Sequence, residues 1–279
     1  MNLILIPVYN DWKSLNKLLI KINNVFSNLI PTKILIVDDC SNIRMIINKK
    51  KLNNIKKIEI MRLKKNVGSQ KAIAIGLKYI HKKKRDFNYV TVMDGDGEDN
   101  PEEIIKMFNL AKKHKDAVVV SCRKDRNENF LIKSLYKIHL IITFFLTFHW
   151  MNFGNFSVFF YKNLESLFLN NNIYHAYSAA VKKNTIIKRT YATRLKRFYG
   201  ESKVNLFFLL AHSIRIMGVF YKRIVIFSLI YIYLLIYLNF NYSIFFSLLI
   251  ILFNCIILIL LSKSEINYHN VLKLKIIKL

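Results

Sequence analysis

The first 121 residues alternate short apolar runs with amphipathic stretches, and that alternation leaves few folds open. Runs at 3–7, 33–37, 58–63, 89–93 and 117–121 have strand length. Between them, 11–26 carries Leu15, Leu18, Leu19 and Ile22 at helical spacing, and 70–81 reads as a second helix. Asn100-Pro101-Glu102-Glu103 predicts the start of a third, with Asn as the cap, Pro in the first helical position and acids in the first turn. Strands alternating with helices predict an α/β fold with a mainly parallel sheet and ligands at the carboxyl ends of the strands. Each run is followed by Asp, Asn or Arg, so one polar edge collects them. The apolar start at 1–6 is too short for a signal peptide, lacks a charged leader and ends at Pro7, so it reads as a strand.

The acids gather in the same half. Of 17 Asp and Glu, 14 lie at or before position 128, and only Glu165, Glu201 and Glu265 follow. The first half can therefore build a cation site and the second cannot. The net charge of +27 points to an anionic partner, or to a lysine-rich background. The basic stretches adjoin long apolar runs, which favours lipid head groups and phosphate substrates and disfavours nucleic acid. Cys40, Cys122 and Cys255 are widely spaced and form neither a metal pattern nor an even-numbered disulfide framework, so a reducing compartment is expected.

After about residue 130 the chain becomes apolar. Residues 130–150 and 204–220 read as helices lying in a membrane interface, or as buried core helices. The runs 224–240 and 244–261 read as a two-helix transmembrane hairpin, since roughly 20 residues cross the hydrocarbon core. The first is slightly short and is completed by Phe220 and Tyr221. Lys222, Arg223 and Lys263 flank the outer ends and the loop at 241–243 is uncharged. The positive-inside rule then puts both termini, and the catalytic domain, in the cytoplasm of a multi-pass membrane protein. A re-entrant hairpin is the alternative. The domains are therefore drawn as 1–220, the helices at 221–262 and a cytoplasmic tail at 263–279.

Asp94-Gly95-Asp96 carries the chemistry. Two carboxylates one residue apart on a strand-end loop can grip one divalent cation, Mg2+ or Mn2+, and the glycines leave room for a diphosphate. Such a cation neutralises charge on a departing nucleotide diphosphate. Glu98 offers a third oxygen ligand. With nine Asp in 279 residues chance alone supplies about 0.3 such pairs, so the position after an apolar strand and before a capped helix matters more than the motif. An acidic turn capping a helix is the plain alternative.

Several collinear segments extend this. They are Ile6-Pro7-Val8-Tyr9-Asn10, Val37-Asp38-Asp39-Cys40-Ser41, Asn66-Val67-Gly68-Ser69-Gln70-Lys71, Met93-Asp94-Gly95-Asp96-Gly97-Glu98-Asp99, Ser121-Cys122-Arg123 and Gly200-Glu201-Ser202-Lys203. In this order, over roughly residues 1–220, the chain resembles family 2 glycosyltransferases of GT-A fold, in particular the dolichol-phosphate-mannose-synthase-like polyprenyl-phosphate group of cell-envelope polysaccharide synthesis. The resemblance implies that Pro7, Tyr9 and Asn10 line the nucleotide pocket and that Asp38 and Asp39 face base and ribose. It implies that Asn66, Gly68 and Lys71 border the nucleotide-sugar donor, that Arg123 contacts its phosphate or the acceptor's, and that Asp94 and Asp96 are catalytic through the metal-diphosphate. Arg197, Ser202 and Lys203 are implied for the acceptor phosphate. The alternative role for Asp39 is capping the following turn, and for Gly68 that of a plain turn glycine. Cys40 and Glu98 depart from the group's usual Gly and Gln, and the segment from Asn152 to Ser157 lacks the group's usual Asp and Arg.

No Asp or Glu lies between Glu165 and Glu201. An alcohol acceptor needs a base to take its proton, whereas a phosphate is already ionised near neutral pH. The same stretch instead offers Lys182, Lys183, Lys188, Arg189, Arg194, Lys196 and Arg197. The expected reaction is inverting transfer of a UDP- or GDP-linked sugar to a polyprenyl phosphate in the membrane, by a chain that is free to form homo-oligomers. One alternative is transfer to a sugar hydroxyl of a lipid-linked saccharide, with His175 or Glu201 as base. Another is a non-catalytic membrane scaffold of the same fold.

Overall fold

The computed structural model describes residues 1–26, 30–48, 51–83, 87–123, 130–200, 206–262 and 275–278. It divides into two compact units, one of Met1–Asn127, Asn152–Lys203 and Ile266–Leu279, the other of Glu128–Met151 and Val204–Glu265.

The first unit begins as predicted, with β1 (Asn2–Val8), α1 (Trp12–Val25), β2 (Thr32–Asp38), β3 (Ile55–Arg62), α2 (Ser69–Lys82), β4 (Tyr89–Val92), α3 (Glu103–Lys113) and β5 (Ala117–Arg123). Its later elements are β6 (Phe153–Phe160), α5 (Leu164–Leu167), α6 (Tyr177–Asn184), β7 (Ile186–Ala192) and β8 (Lys275–Lys278), while α4 (Phe130–Thr147) belongs to the second unit. One eight-stranded sheet runs β7-β5-β6-β4-β1-β2-β3-β8. β1 pairs in parallel with β2 and β4, β2 with β3, and β5 with β7. β6 is antiparallel to β4 and β5, and β8 is antiparallel to β3. The expected mainly parallel α/β sheet is present. β6, β7 and β8 were not foreseen, and β8 adds a strand from the segment expected to be a tail.

Every residue of β1 is buried, which suits a central strand covered on both faces and explains its continuous apolar run. α1 buries Leu15, Leu18, Leu19 and Ile22, the stripe read from the sequence. α3 starts later than predicted, because residues 100–102 form a tight turn. Glu103 N–H donates to the Asn100 carbonyl at 3.1 Å and Ile104 N–H to that of Pro101 at 3.1 Å, three residues back in each case. Asn100 still serves this end, its side chain accepting from Glu102 N–H at 3.2 Å.

The second unit holds α4, α7 (Leu206–Val219), α8 (Tyr221–Tyr237) and α9 (Ser243–Ser262). Among the described residues α9 alone is by itself long and apolar enough to cross a membrane. The predicted completion of the preceding run by Phe220 does not occur. Phe220 is the break between α7 and α8, and the two helices bend there by 93°. The bend is held by Phe220 N–H on the Met217 carbonyl at 2.8 Å. Asn254 on α9 donates to Ser228 Oγ on α8 at 2.8 Å, so these apolar helices pair with one polar contact between them.

Gly76 lies where α2 meets β1 and β2. A Cβ there would sit 2.5 Å from Leu5 Cδ1 and 2.8 Å from Val37 Cγ2, both on fully buried side chains. Glycine within a helix costs about 1 kcal/mol relative to alanine, so close helix-on-sheet packing outweighs propensity here. Gly76→Val is expected to lower stability by about 1–3 kcal/mol, read as a fall in melting temperature of the full chain.

Candidate active site

The parallel strands deliver their carboxyl ends to one edge, and the acids lie there. Asp38 ends β2 and Asp39 follows it; each is 3% exposed. Asp38 accepts from Ser41 N–H at 2.8 Å and lies 3.5 Å from Arg62 Nε. Asp39 divides its oxygens between two backbone donors, Val67 N–H and Gly68 N–H, both at 2.8 Å. Burial pushes its carboxyl up to about 6, with those two N–H groups opposing the rise and the Asp38 charge adding to it. Asp39 thus closes the loop before α2 onto the end of β2. Asn66 Oδ1 also accepts from Gly68 N–H, at 3.2 Å. Gly68 has φ 85° with open space around it, so backbone conformation rather than crowding calls for glycine. Lys71 stands in the first turn of α2.

Pro7 lies in β1 opposite Val37. Tyr9 is 41% exposed just beyond the strand. Asn10 takes a left-handed φ of 53°, and its Oδ1 accepts from Asn42 N–H at 2.9 Å and Ile43 N–H at 3.2 Å. The first strand end is thereby tied to the loop after Asp39.

Beyond β4, Asp94 Oδ1 accepts from Asn155 Nδ2 at 3.0 Å, and Asp94 N–H donates to Asp99 Oδ2 at 3.0 Å. Asp96 Oδ1 accepts from Glu98 N–H at 3.1 Å. The glycines do more than leave room for a ligand. A Cβ on Gly95 would stand 3.0 Å from the Pro7 carbonyl oxygen, and one on Gly97 would stand 2.3 Å from the Phe198 ring.

A segment following β7 lies across this loop. Leu195 N–H donates to the Glu98 carbonyl at 2.9 Å and Phe198 N–H to that of Asp96 at 3.1 Å. Arg194 pairs with Glu98, and Arg197 pairs with Asp11 at 2.6 Å while its Nη1 lies 4.0 Å from Asp96 Oδ2. Glu98, expected as a third metal ligand, is engaged by Arg194. Among the described residues no three His, Cys, Asp or Glu side chains converge as a metal-binding group. Asp94 and Asp96 remain the candidate pair. The Asp99 carboxyl is pushed up to about 7, chiefly by burial and then by the charges of Asp94 and Asp96, with the Asp94 N–H and the Arg194 charge opposing the rise. Hard carboxylate oxygens suit Mg2+ or Mn2+. Asp94 and Asp96 thus offer two oxygen ligands of the kind such a cation takes.

Arg123 is the last residue of β5. Glu201, Ser202 and Lys203 lie outside the described residues. The sequence reading passed over Asp11, Asp99, Phe198, Gln70 and Asn155 as site residues. Gln70 and Asp99 lay inside the collinear motifs and Asn155 inside the segment from Asn152 to Ser157, but their roles depend on which chain segments meet.

The glycosyl transferase family 2 model matches residues 3–189. No curated protein matches the chain. Among solved structures, glucosyl-3-phosphoglycerate synthase from Mycobacterium tuberculosis with Mn2+, UDP-glucose and phosphoglyceric acid aligns at 12% identity and TM-score 0.50, over 80% of this chain and 79% of that one. A mycobacterial protein aligns at 11% identity and TM-score 0.50, over 80% and 74%. S. aureus TarS 1-349 aligns at 16% identity and TM-score 0.49, and the chain spans 64% of its length. At these identities the likeness is one of fold. The family match covers two-thirds of the sequence and takes in the strand ends that carry Asp38, Asp39, Asp94 and Asp96, so the chain belongs to glycosyl transferase family 2.

Proposed function

We propose that this chain moves a sugar from a nucleotide-sugar donor to a polyprenyl phosphate, with inversion. Family membership supports glycosyl transfer. A mycobacterial synthase of similar fold was solved with Mn2+ and UDP-glucose, which supports a donor of that class and a divalent cation. In this reading Asp94 and Asp96 hold the cation and the donor diphosphate, and Glu98 stands behind them in its pair with Arg194. A divalent cation bound there supplies charge neutralisation to the departing diphosphate. Asp38, Asp39, Asn66, Gly68 and Lys71 shape the nucleotide end, beside Pro7, Tyr9 and Asn10.

The observation that carries the acceptor is the basic segment across the acidic loop. Arg194 and Arg197 stand beside Glu98 and Asp96, in a stretch without a carboxylate to serve as base. An ionised phosphate oxygen attacks the anomeric carbon directly, the bond to the diphosphate oxygen breaks, and no proton has to be removed. In this reading Arg197 meets acceptor charge, and Ser202, Lys203 and Arg123 assist. A long-chain lipid acceptor calls for a membrane-bound enzyme. α9 supports this, being 20 residues long and scarcely buried. Both termini are proposed to lie in the cytoplasm, which requires the bent α7–α8 pair to cross together with α9 and rests on the flanking Lys222, Arg223 and Lys263.

Asp96→Ala is expected to reduce transfer more than about a hundredfold in membranes given labelled UDP- or GDP-sugar, with the protein still folded and inserted. Retained activity would count against the site. The wild-type product should be a mild-acid-labile lipid phosphosugar, and an extended glycan instead would point to a hydroxyl acceptor. Asp39 accepts from a base N–H in its ionised form, so nucleotide affinity should fall with pH through about 6 and be roughly tenfold weaker at pH 5 than at pH 7. Asp39→Asn should flatten that dependence in calorimetric titrations.

A further inference from the structure

A chain of amides links Asp94 to the inside of the fold. The Tyr177 N–H, first of α6, donates to Gln70 Oε1 at 2.8 Å. Gln70 Nε2 donates to Asn155 Oδ1 at 3.0 Å, and Asn155 Nδ2 donates to Asp94 Oδ1 at 3.0 Å. The chemistry at the two ends sets its direction. A backbone N–H can only donate, and an ionised carboxylate can only accept. Each amide must therefore take the orientation that brings an N–H to Asp94.

The anchor is rigid. Tyr177 is fully buried, and its hydroxyl lies 2.6 Å from Ser157 Oγ. Asn155 is placed by the sheet: β6 pairs Ser157 with Val92 antiparallel, so two residues further along the ladder Asn155 falls opposite Asp94. Gln70 lies two residues beyond Gly68, whose N–H holds Asp39. One short segment at the start of α2 thus restrains both acidic positions.

We propose that Gln70 and Asn155 are positioning residues, a hydrogen-bonded relay that orients the Asp94 carboxylate for the divalent cation. This rests on the reading of Asp94 as a metal ligand. Polar partners behind a metal ligand typically change affinity by about 10–100-fold when removed. A role confined to satisfying the first N–H of α6 would involve Gln70 alone and would leave metal affinity untouched.

The test is Mn2+ binding to the purified full chain with UDP or GDP present, followed by electron paramagnetic resonance of free Mn2+, alongside metal-free melting. Asn155→Ala keeps the Gln70–Tyr177 bond and should weaken Mn2+ binding about tenfold or more, with melting close to wild type. Gln70→Met is the second variant and should also weaken it. The double variant should bind no more weakly than Asn155→Ala, because both act through one carboxylate. Wild-type Mn2+ affinity in Asn155→Ala, with binding lost in Asp96→Ala, would overturn the relay. So would additive losses in the double variant. Absence of Mn2+ binding by the wild type with either nucleotide would instead overturn the reading of the site itself.

Discussion

Like charges crowded at one sheet edge set the problem that the catalytic unit solves. Asp94, Asp96, Glu98 and Asp99 fall within six residues, and Asp38 and Asp39 end the strand two places away in the sheet. Carboxylates this close repel strongly once removed from bulk water. Each is therefore met by its own donor. Backbone N–H groups serve Asp38, Asp39, Asp96 and Asp99, an amide serves Asp94, and a guanidinium serves Glu98. The Asp99 carboxyl is raised to about 7 first by its burial and then by the Asp94 and Asp96 charges, so part of the repulsion is left uncompensated.

The donors come from distant parts of the chain, which ties site geometry to fold stability. Asp39 pulls the start of α2 onto β2, Asn155 reaches Asp94 from β6, and the segment after β7 crosses the loop with two backbone hydrogen bonds and two arginines. Gly95 and Gly97 permit this closeness, one against the Pro7 carbonyl and the other beneath Phe198. The same arginines that stabilise the acidic loop are those assigned to an anionic acceptor in the proposed reaction. One set of charges serves both ends.

The helical unit follows different physics. Its helices expose many large apolar side chains, and Asn254 on α9 donates to Ser228 on α8. In water such a surface would be a liability, whereas in a bilayer it is the expected exterior. Among the described residues α9 alone is long and apolar enough to cross by itself, and the bend at Phe220 divides the preceding apolar stretch.

The sequence by itself determined the strands β1 to β5, the helices α1 to α3 and the clustering of acids at the strand ends. Those signals are local, consisting of period, caps and short apolar runs, and chain neighbours suffice to read them. It also determined the family, through collinear motifs. Only the tertiary structure decided that β6 enters antiparallel, that 275–278 adds an edge strand, and that Glu98 faces Arg194. It alone brought Gln70, Asn155, Arg197 and Phe198 to the acidic loop. These outcomes depend on pairings between residues up to roughly two hundred positions apart, where burial and charge compensation choose the partner and no local pattern records the choice.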